Sequence, residues 1–175
     1  MTYPLHMRRF ALRAFVSTLG FCVAGCRSVP ESPHGFAATI GAWEGLRRDV
    51  ADGTETRMAM RVEPLPGGDG QFRSLDVFGD RRTYHGAAVQ RFDPGEGCWV
   101  RRYTNSSTRP FARYHATKVD GDRSIWRSVS PGRKRESRLV SEHLPDGLWR
   151  RTMSVSADGG RTWRGLWVDE LRRRR

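Results

Sequence analysis

The sequence predicts an all-β protein, a single antiparallel barrel of about eight to ten strands. Three observations point there. First, turn signals punctuate the chain at short intervals: Asp52-Gly53, PGGDG at 66–70, GDR at 79–81, DPGEG at 93–97, DGD at 120–122, PGRK at 131–134, PDG at 145–147 and DGG at 158–160. Second, the runs between them are about 7–12 residues long and rich in Trp, Tyr, Phe, Val and Thr, with no long amphipathic helical pattern. Third, several runs alternate with a period of two, the spacing that sends successive side chains to opposite faces of a sheet. A sheet of that many strands exposes unpaired edges unless it closes, which favours a barrel over a sandwich. No internal repeat supports a propeller.

The elements follow in chain order. Residues 1–25 form a tripartite leader. MRRFALR is basic, Ala14 to Gly25 is apolar and uncharged, and a small-residue segment ends the run. The apolar stretch is shorter than the roughly 20 residues a permanent membrane helix needs, and fits the core of a signal peptide. It ends in Val23-Ala24-Gly25-Cys26. This resembles the lipobox of bacterial lipoproteins, with Val where Leu is usual. The resemblance implies lipidation of Cys26 and anchoring of the chain to a membrane. Arg27 rather than Asp after the cysteine implies the periplasmic face of the outer membrane. RRFALR also resembles a twin-arginine export signal, and Met7 is an alternative start. Residues 26–35, with Pro30 and Pro33, read as a tether.

The barrel is expected over residues 36–171. In CWVRRYT, Trp99, Arg101 and Tyr103 share one face, and Cys98, Val100, Arg102 and Thr104 the other. In LWRRTMSVS, Trp149, Arg151, Met153 and Val155 share a face. In the last run Trp163 and Trp167 are expected together, opposite Thr162, Leu166 and Val168. Residues 172–175 are four arginines, read as a solvated basic tail.

Charge narrows the partners. The chain carries 31 Lys+Arg against 19 Asp+Glu, a formal net charge of +12. Three of these positive charges sit in the leader (Arg8, Arg9, Arg13) and four in the tail, leaving +5 for the rest. With an export signal in front of a moderately basic domain, nucleic acid is not an expected partner.

Two further resemblances bear on the barrel. SADGGRTW, Ser156 to Trp163, resembles the Asp-box hairpins of sialidases and other propellers. There the motif is structural, with Asp and Ser tying the turn, Gly supplying positive φ and Trp packing beneath. It occurs once here and reads as a staple between the last two strands, through Asp158, Gly160 and Trp163. IGAWEG, Ile40 to Gly45, resembles the G-x-W opening strand of lipocalin-like barrels. QRFDPGEGCWVRRYTN and SADGGRTWRGLWVDELRR resemble the mid-chain and C-terminal hairpins of a bacterial family in that group, so the resemblance spans most of residues 38–172. It implies a calycin-type barrel in which Gly41 allows a tight bend and Trp43 packs across the closed end. It transfers no catalytic residue.

Chemistry-bearing motifs are sparse. There is no G-x-S-x-G and no phosphate-cradling glycine loop, and PGGDG lacks the helix and Lys that would make it one. The mature chain's histidines, His34, His85, His115 and His143, fall at no metal-ligand spacing, and three cysteines at 22, 26 and 98 cannot build a zinc site. No cofactor motif appears. What remains is the barrel interior, with Trp99, Tyr103, Trp126, Trp149 and Met153 as candidate lining. An inward Arg101 or Arg151 would need an anionic partner, either an internal acid or a ligand group. The expectation is a membrane-tethered protein that binds a small apolar or amphipathic anion through Trp99, Arg101, Tyr103, Trp149 and Arg151, without catalysis. Two alternatives are a side-chain-filled structural barrel of the envelope, and a heme-binding or enzymatic barrel using His115 or His143.

Overall fold

The computed structural model describes residues 33–79, 83–106, 108–120, 122–128 and 135–175. The leader, the lipobox and Cys26 lie outside them. A 3-10 turn at Pro33–Thr39 leads into ten strands: β1 (Gly41–Asp49), β2 (Glu55–Pro64), β3 (Gly70–Phe78), β4 (Thr83–Asp93), β5 (Cys98–Asn105), β6 (Thr108–Val119), β7 (Arg123–Ser128), β8 (Glu136–His143), β9 (Trp149–Ser156) and β10 (Arg164–Arg173). Each strand pairs antiparallel with its chain neighbour, and β10 pairs back onto β1, so the sheet is a closed up-and-down barrel. The expected all-β barrel is therefore the fold observed, and it is consistent with a lipocalin-like architecture. Among the described residues no helix is long and apolar enough to cross a membrane.

Closure depends on the seam between first and last strands. Gly45 faces Leu171 across it, and a Cβ on Gly45 would lie 1.9 Å from the Glu170 carbonyl oxygen. Only glycine lets the two backbones approach so closely. At the start of β1, Gly41 has φ of 137°, a conformation L side chains rarely adopt.

The pole where β1 begins is sealed. Trp43 is buried, and its indole Nε1 donates to the Thr39 carbonyl at 2.8 Å, which ties the 3-10 turn beneath the barrel. Phe36 from that turn inserts against Trp99 edge-on, with ring centres 4.7 Å apart, and against Trp126 at 6.0 Å. Gln71 holds the plug in place: its Nε2 donates to the Phe36 carbonyl at 2.6 Å, and its Oε1 accepts from Gln90 and Arg73, each at 3.1 Å. Two more buried indoles are tied by their N–H groups, Trp126 to Ser124 Oγ at 3.0 Å and Trp149 to Ser141 Oγ at 2.7 Å.

Two expectations need correction. Residues 172–175 are not simply a solvated tail. Arg172 and Arg173 end β10, opposite Glu44 and Trp43, and the Arg174 N–H donates to the Ala42 carbonyl at 2.8 Å. Arg173 donates to the carbonyls of Ala38 and Ile40 at 3.1 and 2.9 Å, and its guanidinium lies 5.2 Å from the centre of the Trp43 ring. The tail thus clamps the sealed pole. The second correction concerns Trp163 and Trp167, which do not share a face. Trp163 precedes β10, and a bulge between Gly165 and Trp167 breaks the alternation. Trp163 lies against Arg127 and Arg138, at 5.5 and 4.4 Å, whereas Trp167 turns inward.

The Ser156–Trp163 hairpin is held by the side chains of Ser156, Asp158 and Trp163. The Asp158 carboxylate accepts from the N–H groups of Arg161 and Thr162 at 3.0 and 2.9 Å and from Thr162 Oγ1 at 2.7 Å. Gly160 N–H donates to Ser156 Oγ at 2.8 Å, and Trp163 Nε1 donates to the Gly160 carbonyl at 3.0 Å. Those bonds hold the Asp158 carboxyl far below its ordinary range.

Candidate ligand-binding site

At the pole opposite the plug the barrel opens into a cavity of about 240 Å³. Its position follows from side-chain size along the strands. Indoles and Phe36 fill the sealed half, and the upper half is left to tyrosines, aliphatics and arginine stems. Tyr84, Tyr103 and Tyr114 form one wall, and Leu166 and Trp167 another. The Tyr84 and Tyr103 hydroxyls hydrogen-bond to each other, and burial with that contact raises the Tyr84 phenol above its ordinary range.

The floor is cationic. Arg101 and Arg151 are 3% and 2% exposed, and Arg73, also 2% exposed, sits one layer deeper against Trp149. Among the described buried residues one acid answers them, Asp169 on β10. It is largely committed elsewhere. Arg47 grips it with two bonds, Nε to Oδ1 at 2.7 Å and Nη2 to Oδ2 at 3.0 Å, and Arg151 Nη1 lies 3.2 Å from Oδ2. Arg101 has no such partner: its Nε and Nη1 are buried without a hydrogen bond, as are Arg151 Nε and Arg73 Nε and Nη1.

Electrostatics records the imbalance. Burial pushes the Arg101 guanidinium below its ordinary value, against the opposing pull of Tyr114, Tyr103 and Asp169. Burial, followed by repulsion from Arg101 and Arg151, pushes Arg73 down much further. Arg151 falls to about 10, with burial the chief cause and Asp169 opposing it. Arg101 and Arg151 thus reach the cavity wall as desolvated cations with N–H groups that lack an acceptor, a need that an anionic oxygen can meet.

Of the residues singled out in the sequence, Arg101, Tyr103, Arg151 and Met153 line the cavity. Trp99, Trp126 and Trp149 do not; they belong to the packed sealed half. Their size is the reason, because indoles at that level leave no open space beside them. Arg47, Asp169, Arg73, Tyr84 and Tyr114 were not anticipated. The alternation signal for two of them was present: Arg73 alternates with Leu75 and Val77, and Asp169 with Trp167 and Leu171, so each falls in an inward-facing set.

Neither histidine of the heme reading reaches the cavity. His143 stacks on Trp149 at the sealed pole, with ring centres 5.2 Å apart and planes 12° from parallel. His115 lies beside Glu96 on the wall, its neighbours Tyr114 and Ala116 taking the inward positions.

No family model matches the chain, and no curated protein does either. Among solved structures, an S-type phycobiliprotein lyase from Guillardia theta is similar, with a TM-score of 0.47 and 12% identity over 78% of this chain and 86% of that one. That neighbour is a lyase by name, which stands against the expectation of a barrel without catalysis; its activity is not carried over to this chain.

Proposed function

We propose that the barrel binds a small amphipathic anion, with the carboxylate or phosphate on Arg101 and Arg151 and the apolar part between the tyrosine wall and Trp167. The observation that carries this reading is the pair of buried, unbonded N–H groups on Arg101 beside the cavity. Leaving such a charge unanswered costs several kcal/mol in a low-dielectric interior, and an incoming anion relieves that cost. The cavity lies just below the roughly 300–1,000 Å³ usual for drug-sized ligands, so the ligand is short or its tail projects through the mouth. With the lipobox, the reading becomes a ligand-binding lipoprotein held through Cys26 on the periplasmic face of the outer membrane. Native mass spectrometry of the protein taken from its own envelope tests that part, the expected result being a diacylated or triacylated Cys26. An unacylated chain would refute it.

Calorimetric titration with dodecanoate, dodecyl phosphate and dodecanol tests the site. The two anions are expected to bind at least about tenfold more tightly than the alcohol, the worth of one charge-assisted hydrogen bond. Arg101→Met should remove that preference while keeping or raising thermal stability, because it deletes an unpaired buried charge. Equal binding of anion and alcohol, or no binding, would overturn the proposal.

A further inference from the structure

We infer that Glu96, Cys98 and His115 form a binding site for one thiophilic divalent cation of the zinc class, on the wall of the barrel and separate from the ligand cavity. The three residues come from different places. Glu96 lies in the β4–β5 turn and Cys98 begins β5, while His115 sits on β6 opposite Val100, diagonal to Cys98. Their donor atoms, a carboxylate oxygen, Sγ and an imidazole nitrogen, all lie within 4.8 Å of one another. An ion bonding sulfur at about 2.3 Å and nitrogen or oxygen at about 2.0–2.2 Å needs donors roughly 3–4 Å apart, which this cluster reaches with small side-chain adjustments.

Each donor is held. The Asp93 carboxylate accepts from the N–H groups of Gly95 and Glu96 at 3.0 and 3.2 Å, fixing the turn that carries Glu96. Arg113 bonds Glu96 Oε1, leaving Oε2 for the cluster. That is the role a supporting residue takes behind a carboxylate ligand. Cys98 is buried, which shields its sulfur. His115 Nε2 lies 2.8 Å from Glu96 Oε2, yet it is covered and makes no aligned hydrogen bond. Two lone-pair atoms that converge without an aligned hydrogen between them suit a cation better than an ion pair.

The donor set specifies the ion class. One thiolate, one imidazole and one carboxylate suit zinc-like borderline ions rather than magnesium or calcium. Three protein ligands leave a fourth position for water or an incoming group, the pattern of open zinc sites. On loading, the Cys98 S–H bond is replaced by a sulfur–metal bond and one proton passes to solvent. His115 contributes a lone pair, and no oxidation state changes.

Cobalt(II) titration of the reduced full chain in detergent tests the site, because thiolate-to-cobalt charge transfer gives a strong near-ultraviolet band. To remove the leader cysteines from the readout, the titration uses the Cys22→Ser/Cys26→Ser chain. One cobalt per chain is expected, displaced by one zinc, with about one proton released per ion. Adding Cys98→Ser should abolish the band, and His115→Gln or Glu96→Gln should weaken binding at least about tenfold. Absence of the band in the Cys22→Ser/Cys26→Ser chain, or its survival in the chain that also carries Cys98→Ser, would overturn the inference. If the chain with Cys98→Ser does not fold, His115→Gln decides: weaker binding upholds the site and unchanged affinity overturns it. The site is independent of the anion cavity, so failure of either reading leaves the other standing.

Discussion

At the residue scale the balance turns on Asp169. Its carboxylate is fully buried and answers both Arg47 and Arg151, with Trp167 stacked under the Arg47 guanidinium at 4.0 Å. Asp169→Asn keeps the shape and removes the charge, leaving two guanidiniums facing a neutral amide. Breaking a buried pair in this way costs about 3–5 kcal/mol, because the surviving charges stay desolvated. Urea denaturation of the two proteins should show the lowered midpoint with an unchanged slope; a shift below about 1 kcal/mol would mean that water reaches the pair. Arg101→Met is expected to move stability the other way or not at all. The contrast between two substitutions in one cluster separates a satisfied charge from an unsatisfied one.

At the element scale the seam of β1 with β10 is the vulnerable joint. Gly45→Ala places a methyl group into the Glu170 carbonyl, so the strands must separate or bend. Overpacking of this kind costs about 1–3 kcal/mol, and here it also weakens the ladder that closes the sheet. Hydrogen exchange should accelerate first at Leu46 and Leu171, and equal protection across the whole barrel would argue that the seam yields without opening. The strands themselves were legible, because period-two alternation and turn residues mark them directly: CWVRRYT places Arg101 and Tyr103 inward as its pattern says. The pattern fails at the bulge in β10, where one extra residue sends Trp163 and Trp167 to different surroundings. It is also silent on level within the barrel. Trp99 and Arg101 share a face, yet one lies in the packed pole and the other beside open space. Level depends on where ten strands cross, which no single run encodes. For the same reason Glu96, Cys98 and His115 converge only once β5 and β6 are paired.

At the scale of the whole molecule, acid sensitivity reports the charge pattern of the sealed pole. Burial lowers His143, and Arg73 and Arg173 lower it further, with Asp122 opposing. The folded state therefore resists protonation that the unfolded chain accepts at about pH 6.5. Between the two values the unfolded state binds more protons, so stability declines as pH falls below about 6.5 and levels off once the folded imidazole also titrates. The carboxyls of Asp120, Asp146 and Asp158 are lowered instead, and their contributions are lost only below about pH 4, so the windows separate. Thermal midpoints measured from about pH 8 to 5.5 should fall in the wild-type chain and fall less in His143→Gln. Identical profiles for the two would remove His143 from the account.

Both ends of the described chain leave from the same pole: Pro33–Thr39 forms the plug, and the last arginines of β10 brace it. An anchor at Cys26, as proposed above, would therefore join the chain on the side of the plug, opposite the mouth. Under that proposal a guest would enter from the aqueous side, and a soluble carrier or a monomeric dispersed molecule would match the geometry better than one lifted directly out of the anchoring leaflet.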